Sequence, residues 1–232
     1  MRAASDLYFA QVPVGEMANF AYLVGSREAR ECLLVDPAWN VDALLDQAEA
    51  DGMRVAGALV THYHQDHVGG SIFGMEIEGL ARLMARAPVP VHVNAREAEG
   101  VRKVTGLSAS DLVPHEGGDV LTLGGVRVRL LHTPGHTPGS QCFLVEEAGA
   151  PGRLVSGDTL FLGSCGRVDL PGGDPEALFY SLENLGRLPD DTLLFPGHLY
   201  SADPSSTMGE QKRHNPYLRV ARLEDFLGFM GY

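Results

Sequence analysis

The sequence predicts an α/β domain, and three observations carry that expectation. Short apolar runs end in polar, glycine-bearing loops, helical periodicities fall between them, and no linker-like composition shift divides the chain. With 232 residues and 44% hydrophobic content the chain can bury a large core, so residues 1–232 are read as one domain.

Taken in order, Asn19 to Val24 and Cys32 to Val35 are apolar runs joined by the charged, turn-like stretch Gly25 to Arg30, which predicts a hairpin. Asn40 is placed to cap a helix through Ala50, with Leu44, Leu45 and Ala48 on one face and Gly52 near its end. The run Val55 to Val60 reads as a buried strand. After Gly70 the repeats of Ile77, Leu80, Ala81, Leu83 and Met84 predict a helix over residues 72–87, stopped by Pro88. Val89 to Val93 reads as an edge strand because it contains Pro90. Val120 to Leu123 and Val126 to Leu130 flank Gly124 and Gly125, a hairpin signal. Asp174 and Pro175 begin a helix carrying Leu178, Phe179, Leu182 and Leu185.

Charge and composition narrow the function. A formal net charge of −12 argues against nucleic acid or an anionic membrane as partner, since phosphate binding needs a basic face. Cys32, Cys142 and Cys165 are odd in number and far apart, so no disulfide framework is expected and a reducing compartment is favoured. The segment Met1 to Val12 is too short and too polar for a signal-peptide core, and no run approaches the roughly 18 apolar residues of a membrane span. A cytoplasmic protein is expected.

The chemistry is concentrated in Thr61-His62-Tyr63-His64-Gln65-Asp66-His67, directly after the buried strand. Imidazoles and a carboxylate crowded together need solvent or a cation to offset their desolvation. A merely solvated histidine-rich loop has no reason to keep the spacing His-x-His-x-Asp-His. Three later strands also end in polar loops, bringing His136, Asp158 and His198, and strand ends are where α/β sites collect. Zinc takes about four N/O ligands, whereas two histidines and one carboxylate with open positions suit non-haem Fe(II). His62, His64, His136 and Asp158 could form one site, and Asp66, His67, His198 and a bridging Asp158 a second. A closed structural zinc site fits poorly, having about four ligands and favouring cysteine. His92, His115, His132 and His214 lack the strand-end setting and are read as surface or hydrogen-bonded histidines. All three cysteines are read as packing residues, Cys165 being the one closest to the predicted metal loop. Trp39 is placed to wall the cleft or cover the core.

This constellation, His62-x-His64-x-Asp66-His67 followed by His136, Asp158 and His198, resembles the metallo-β-lactamase superfamily over residues 15–216. The resemblance implies an αββα sandwich, two mixed sheets face to face with helices outside and the metal at one edge. Thr133 to Gly139, Ser156 to Phe161 and Cys165-Gly166-Arg167 are similar to the branch containing glyoxalase II and the persulfide dioxygenases, both acting on glutathione conjugates. True β-lactamases are exported and fit less well, and RNA-processing relatives are disfavoured by the acidic balance. Residues 199–232 are too few for the helical domain usual in glyoxalase II. The tail Ser206 to Pro216, with Tyr200, resembles that of persulfide dioxygenases. The helix expected at residues 72–87 departs from that pattern as an insertion, and Val168 to Gly173 is a second departure near the expected cleft.

The resemblance therefore implies an Fe(II)-dependent persulfide dioxygenase of sulfide metabolism, with one iron per chain held by His62, His136 and Asp158. His64, Asp66, His67 and His198 would hold waters and ligands in place around it. Its partners would be a glutathione-based substrate and O2, and a homodimer is compatible. Arg167 is the candidate for a glutathione carboxylate, with an ion pair under the metal loop as the structural alternative; Tyr200 and Lys212 are further substrate candidates. The alternative is a glyoxalase II-like thioester hydrolase with two zinc or mixed-metal ions, a bridging water and Asp66 as proton acceptor.

Overall fold

Alternate residues of the central strands point into different cores, and that partition builds a four-layer molecule. The computed structural model describes residues 5–232, so the expectation for Met1 to Ala4 lies outside the described residues. The first half contains β1 (Leu7–Val14), β2 (Asn19–Ser26), β3 (Glu31–Val35), α1 (Val41–Ala50), β4 (Arg54–Leu59), α2 (Gln65–Val68), β5 (Gly70–Ile72), β6 (Met75–Ile77), α3 (Leu80–Arg86), β7 (Val91–Asn94), α4 (Ala98–Thr105) and β8 (Leu112–His115). The second half contains β9 (Val120–Leu123), β10 (Val126–His132), β11 (Gln141–Glu147), β12 (Arg153–Val155), β13 (Leu160–Phe161), β14 (Ser164–Cys165), α5 (Pro175–Leu185), β15 (Leu193–Phe195), β16 (Ser206–Thr207), α6 (Met208–His214), α7 (Pro216–Arg219) and α8 (Leu223–Met230).

One mixed sheet runs β1-β2-β3-β4-β7-β8 and the other β16-β15-β12-β11-β10-β9. Ala21 and Leu23 of β2, with Cys32 and Leu34 of β3, pack on one side with Leu44 of α1, Leu83 of α3 and Val101 of α4. Phe20, Tyr22 and Val24 point the other way, meeting Val128, Leu130, Phe143 and Val145 of the second sheet. The outer face of that sheet, Cys142, Leu144 and Leu154, packs on Leu178 and Leu182 of α5 and Phe226 of α8. This is the αββα sandwich. Among the described residues, no helix is long and apolar enough to cross a membrane.

Several expectations are met in detail. The β2–β3 hairpin forms, Asn40 caps α1 through Ala43 N at 3.1 Å, and Asp174 caps α5 through Ala177 N at 3.0 Å. Residues 72–87 are a correction: only Leu80–Arg86 is helical, and β5 and β6 form a hairpin before it. Ile72 pairs with Met75, leaving Phe73 and Gly74 as a two-residue loop with φ of 50° and 82°, the primed turn that matches strand twist. The strand around Val89 to Val93 is also corrected, because β7 lies between β4 and β8 rather than at an edge. Pro90 precedes it and costs the ladder no donor, while its carbonyl accepts from Ala58 N.

Candidate metal centre

Loops from the C-terminal tips of β4, β10, β12 and β15 meet at one edge of the sandwich and carry the seven predicted ligands. Asp36, at the end of β3 with φ of 49°, accepts hydrogen bonds from Thr61 N at 2.8 Å and Thr61 Oγ1 at 2.6 Å, which fixes the start of the His62 loop. His64 then opens α2, whose short turn presents Asp66 and His67. Arg167 O accepts from His136 Nδ1 at 2.7 Å, and Met17 O accepts from His198 Nδ1 at 2.9 Å. Buried Tyr22 donates its hydroxyl to Pro196 O and so holds the His198 loop from beneath. Gly197 leaves space that the centre uses, since a Cβ there would lie 2.5 Å from Asp158 Oδ1.

The side chains converge. The ligand atoms of His62, His64 and His136 lie within 4.8 Å of one another, as do those of His62, His67 and Asp158, and those of Asp66, His67 and His198. Asp158 stands between the groups: Oδ1 is 3.4 Å from His67 Nε2, and Oδ2 is 3.4 Å from His198 Nε2 and 3.7 Å from His136 Nε2. Asp66 Oδ2 lies 3.3 Å from both His67 Nε2 and His198 Nε2.

Local charges reflect this crowding. Burial pushes the His64 imidazole down to about 4, and burial, aided by neighbouring His67, holds His62 well below its ordinary value. Burial pushes the carboxyl of Asp158 up, but His67 and His198 outweigh it and hold it at about 2. Burial acts against the charged form of His198, yet Asp158 and Asp66 raise it to about 9. For Asp158 and His198 alike, protonated imidazole supplies the positive charge that the carboxylates call for.

A cation fits this set better than protons do. His67 Nε2 and His198 Nε2 face each other at 3.1 Å, while their Nδ1 atoms are engaged by Asp36 Oδ2 and Met17 O. With both rings neutral, two lone pairs would be directed at each other. His136 Nε2 and His64 Nδ1 make a similar approach at 3.0 Å. Ligand atoms sharing one ion at about 2.1 Å stand roughly 3.0–3.4 Å apart, so these spacings suit a metal. His62 Nε2 and Asp158 Oδ1 are buried without a hydrogen-bond partner, as unused ligand atoms would be.

The substrate candidates fare differently. Tyr200 stacks on His198 with ring centroids 4.7 Å apart and 11° between planes, and it is exposed at the rim beside Phe161. Arg167 forks onto Asp169, Nε to Oδ1 and Nη2 to Oδ2 both at 2.7 Å, so one of its two bidentate edges is already engaged. Its carbonyl is what orients His136. Lys212 donates to Leu188 O and Asp190, at the end of β15 opposite His198, and the structure does not bring it to the centre. The bonds of the Ser206 to Pro216 tail are structural, with Thr207 and Glu210 forming the capping box of α6. Asn215 Nδ2 donates to Phe161 O at 3.1 Å and Ser164 O at 3.0 Å, bracing the β13–β14 hairpin. Cys165 is buried, and burial pushes its thiol up to about 12.

Four supporting residues escaped the sequence reading: Asn19, Asp36, Thr61 and Glu97, all buried and polar. Asn19 Nδ2 donates to Asp66 Oδ2 at 2.9 Å, and Trp39 Nε1 donates to Asn19 Oδ1 at 3.1 Å and Asp66 O at 3.0 Å. Trp39 therefore braces the ligand loop. Asp36 and Asn19 lie at the ends of apolar runs, a signal that could have marked them; Glu97 offers none.

Comparison with known proteins agrees with this architecture. The profile of the metallo-beta-lactamase superfamily matches residues 14–198. The chain is 31% identical over 221 residues to the mitochondrial persulfide dioxygenase of Homo sapiens, covering 92% of this chain and 76% of that protein. It is 35% identical over 183 residues to a hydroxyacylglutathione hydrolase of Hahella chejuensis, covering 79% of this chain and 62% of the relative, less than two thirds of that protein's length. The crystal structure of TTHA1623 in a di-iron-bound form superimposes with a TM-score of 0.69 at 35% identity, covering 90% of this chain and 99% of that one.

Proposed function

Because the chain belongs to the metallo-β-lactamase superfamily, we propose that it is an Fe(II)-dependent persulfide dioxygenase acting on glutathione persulfide. The balanced reaction converts the persulfide, O2 and water to sulfite, glutathione and two protons, with the terminal sulfur giving up the four electrons that O2 accepts. What supports this reading is that His62 shares one ligand group with His136 and another with Asp158, whose Oδ2 lies 3.7 Å from His136 Nε2, together with 31% identity to a persulfide dioxygenase over most of the chain.

His62, His136 and Asp158 would hold the iron, two neutral nitrogens and one carboxylate leaving one face open. Bound by these residues, Fe(II) would supply the redox chemistry that O2 needs to react with a sulfur anion. The chain's own residues prepare that face. Arg167 O fixes the tautomer of His136 so that its Nε2 lone pair points inward, and Asp36 does the same for His67. His64, Asp66, His67 and His198, whose ring and carboxylate atoms lie among those of His62, His136 and Asp158, would hold waters and ligands in place around the centre. Exposed Tyr200, backed by the buried ring of Phe161, would form an aromatic wall at the rim against which the persulfide tail is oriented. With its Nε–Nη2 edge on Asp169, Arg167 would meet a substrate carboxylate through its Nη1–Nη2 edge.

A thioester hydrolase is the second reading, favoured by the Asp66, His67 and His198 group and by the hydroxyacylglutathione hydrolase relative. Oxygen uptake by anaerobically prepared, Fe(II)-loaded protein on glutathione persulfide, run beside hydrolysis of S-lactoylglutathione, separates them. Uptake with sulfite formation supports the dioxygenase. Thioester cleavage without uptake replaces it with the hydrolase.

A further inference from the structure

Glu97 is a carboxylate only 1% exposed, and among the described residues it has no ion-pair partner. A buried charge of this kind persists only where hydrogen bonds satisfy it. Oε2 accepts from Tyr63 N at 2.8 Å, and Oε1 accepts from Thr137 Oγ1 at 2.9 Å and Gly139 N at 2.7 Å. Tyr63 lies between His62 and His64, and Thr137 adjoins His136. One carboxylate thus joins the chain around His62 and His64 to the loop that carries His136.

The joint is built tightly from both sides. Glu97 precedes α4, with Glu97 N donating to Asn94 O and Val101 N donating to Glu97 O, so its backbone is anchored in a helix start. A Cβ at residue 139 would lie 2.7 Å from Glu97 Cγ and 2.8 Å from its Oε1, which explains the glycine there. A Cβ at residue 100 would lie 2.6 Å from the Tyr63 ring, so that ring packs directly on α4. Beyond Glu97, Asn19 and Met17 O hold Asp66 and His198, and Asp36 serves both halves, holding His67 directly and the start of the His62 loop through Thr61.

We propose that Glu97 is the positioning residue for the His62, His64 and His136 end of the metal centre. It sets the separation of the two loops, and so the affinity for an ion there, without touching ion or substrate. This rests on the metal-centre reading and is independent of which reaction follows. Glutamine cannot replace it, because its NH2 would face a donor on either side, Tyr63 N or Gly139 N.

The test uses Co(II) as probe. Apo-protein is titrated with Co(II), following its visible bands, with chelator competition for affinity and a melting curve of each apo-protein. Glu97→Gln is expected to lower Co(II) affinity about 10–100-fold and to alter the bands, the usual consequence of losing an outer support. Thr137→Val, which removes one of the three bonds, is expected to fall between Glu97→Gln and the parent and serves if Glu97→Gln fails to fold. A lowered melting temperature with Co(II) affinity and bands like the parent's in the folded variants overturns the proposal. Failure of the parent itself to bind Co(II) would instead remove the metal centre.

Discussion

His67 Nδ1 lies 3.0 Å from Asp36 Oδ2, and this contact decides which face of the imidazole meets the centre. Because Asp36 is acceptor-only when ionised, it holds the proton on Nδ1 and leaves Nε2 free as a ligand. In Asp36→Asn the oxygen is kept by Thr61 N, so the NH2 faces His67 and favours the opposite tautomer. We expect the variant to fold but to retain iron about 10–100-fold less tightly, read by equilibrium dialysis and metal analysis. Unchanged retention would remove Asp36 from the support of the centre.

Trp39 is the single tryptophan and donates to the carbonyl of Asp66, so its emission should report on the ligand loop. Stripping the metal with a chelator is expected to shift that emission to the red and quench it as the Asp66 turn loosens, with recovery on re-addition. Trp39→Phe leaves Asp66 O and Asn19 Oδ1 without that donor and should destabilise the fold by about 1–3 kcal/mol in chemical denaturation.

Asp158 sits between the ligand groups, whereas His198 belongs to one. Asp158→Ala should therefore abolish activity under either reaction. His198→Ala should be milder if a single ion is bound through His62, His136 and Asp158. Near-complete metal loss in His198→Ala, measured on the purified protein, would count against a mononuclear centre.

Far from the centre, Asp6 links β1 to β2 and to the β9–β10 turn: Oδ1 accepts from Ser26 Oγ at 2.7 Å and Glu28 N at 2.8 Å, and Oδ2 accepts from Gly125 N at 2.8 Å. Burial pushes its carboxyl up, but the bonds from Glu28 N, Ser26, Gly125 N and Arg27 N together outweigh it and hold it below the ordinary value of 3.8. The unfolded chain then binds the proton more readily, so this stabilisation is present above about 4 and is lost as pH falls through the folded-state value. Asp6→Asn should melt roughly 2–4 °C lower at pH 7, about 1 kcal/mol in a chain of this size, with a shallower loss of melting temperature in acid. Equal acid slopes in the two proteins would contradict this.

The convergence of the candidate ligands was legible because a metal would demand particular atoms at strand tips, and His62, His64, Asp66, His67, His136, Asp158 and His198 lie in loops that follow apolar runs fixing where the chain turns. Their supports were not, because Glu97 and Asn19 act through bonds to residues distant in sequence that only the assembled sandwich brings near. The hairpin at Gly70 to Ile77 was hidden for a different reason: Ile77, Leu80 and Met84 share a helical spacing, and the turn rests on Phe73 adopting a positive φ that its residue type does not announce. Lys212 was singled out by its place in a tail whose capping and bracing bonds turn out to be structural.

Iron stoichiometry tests the central claim most directly. Protein reconstituted anaerobically with Fe(II), then desalted and analysed for metal, should hold about one tightly bound iron per chain, and Asp158→Ala should hold none. Two ions per chain of equal tightness, or an Asp158→Ala variant that keeps its iron, would contradict it.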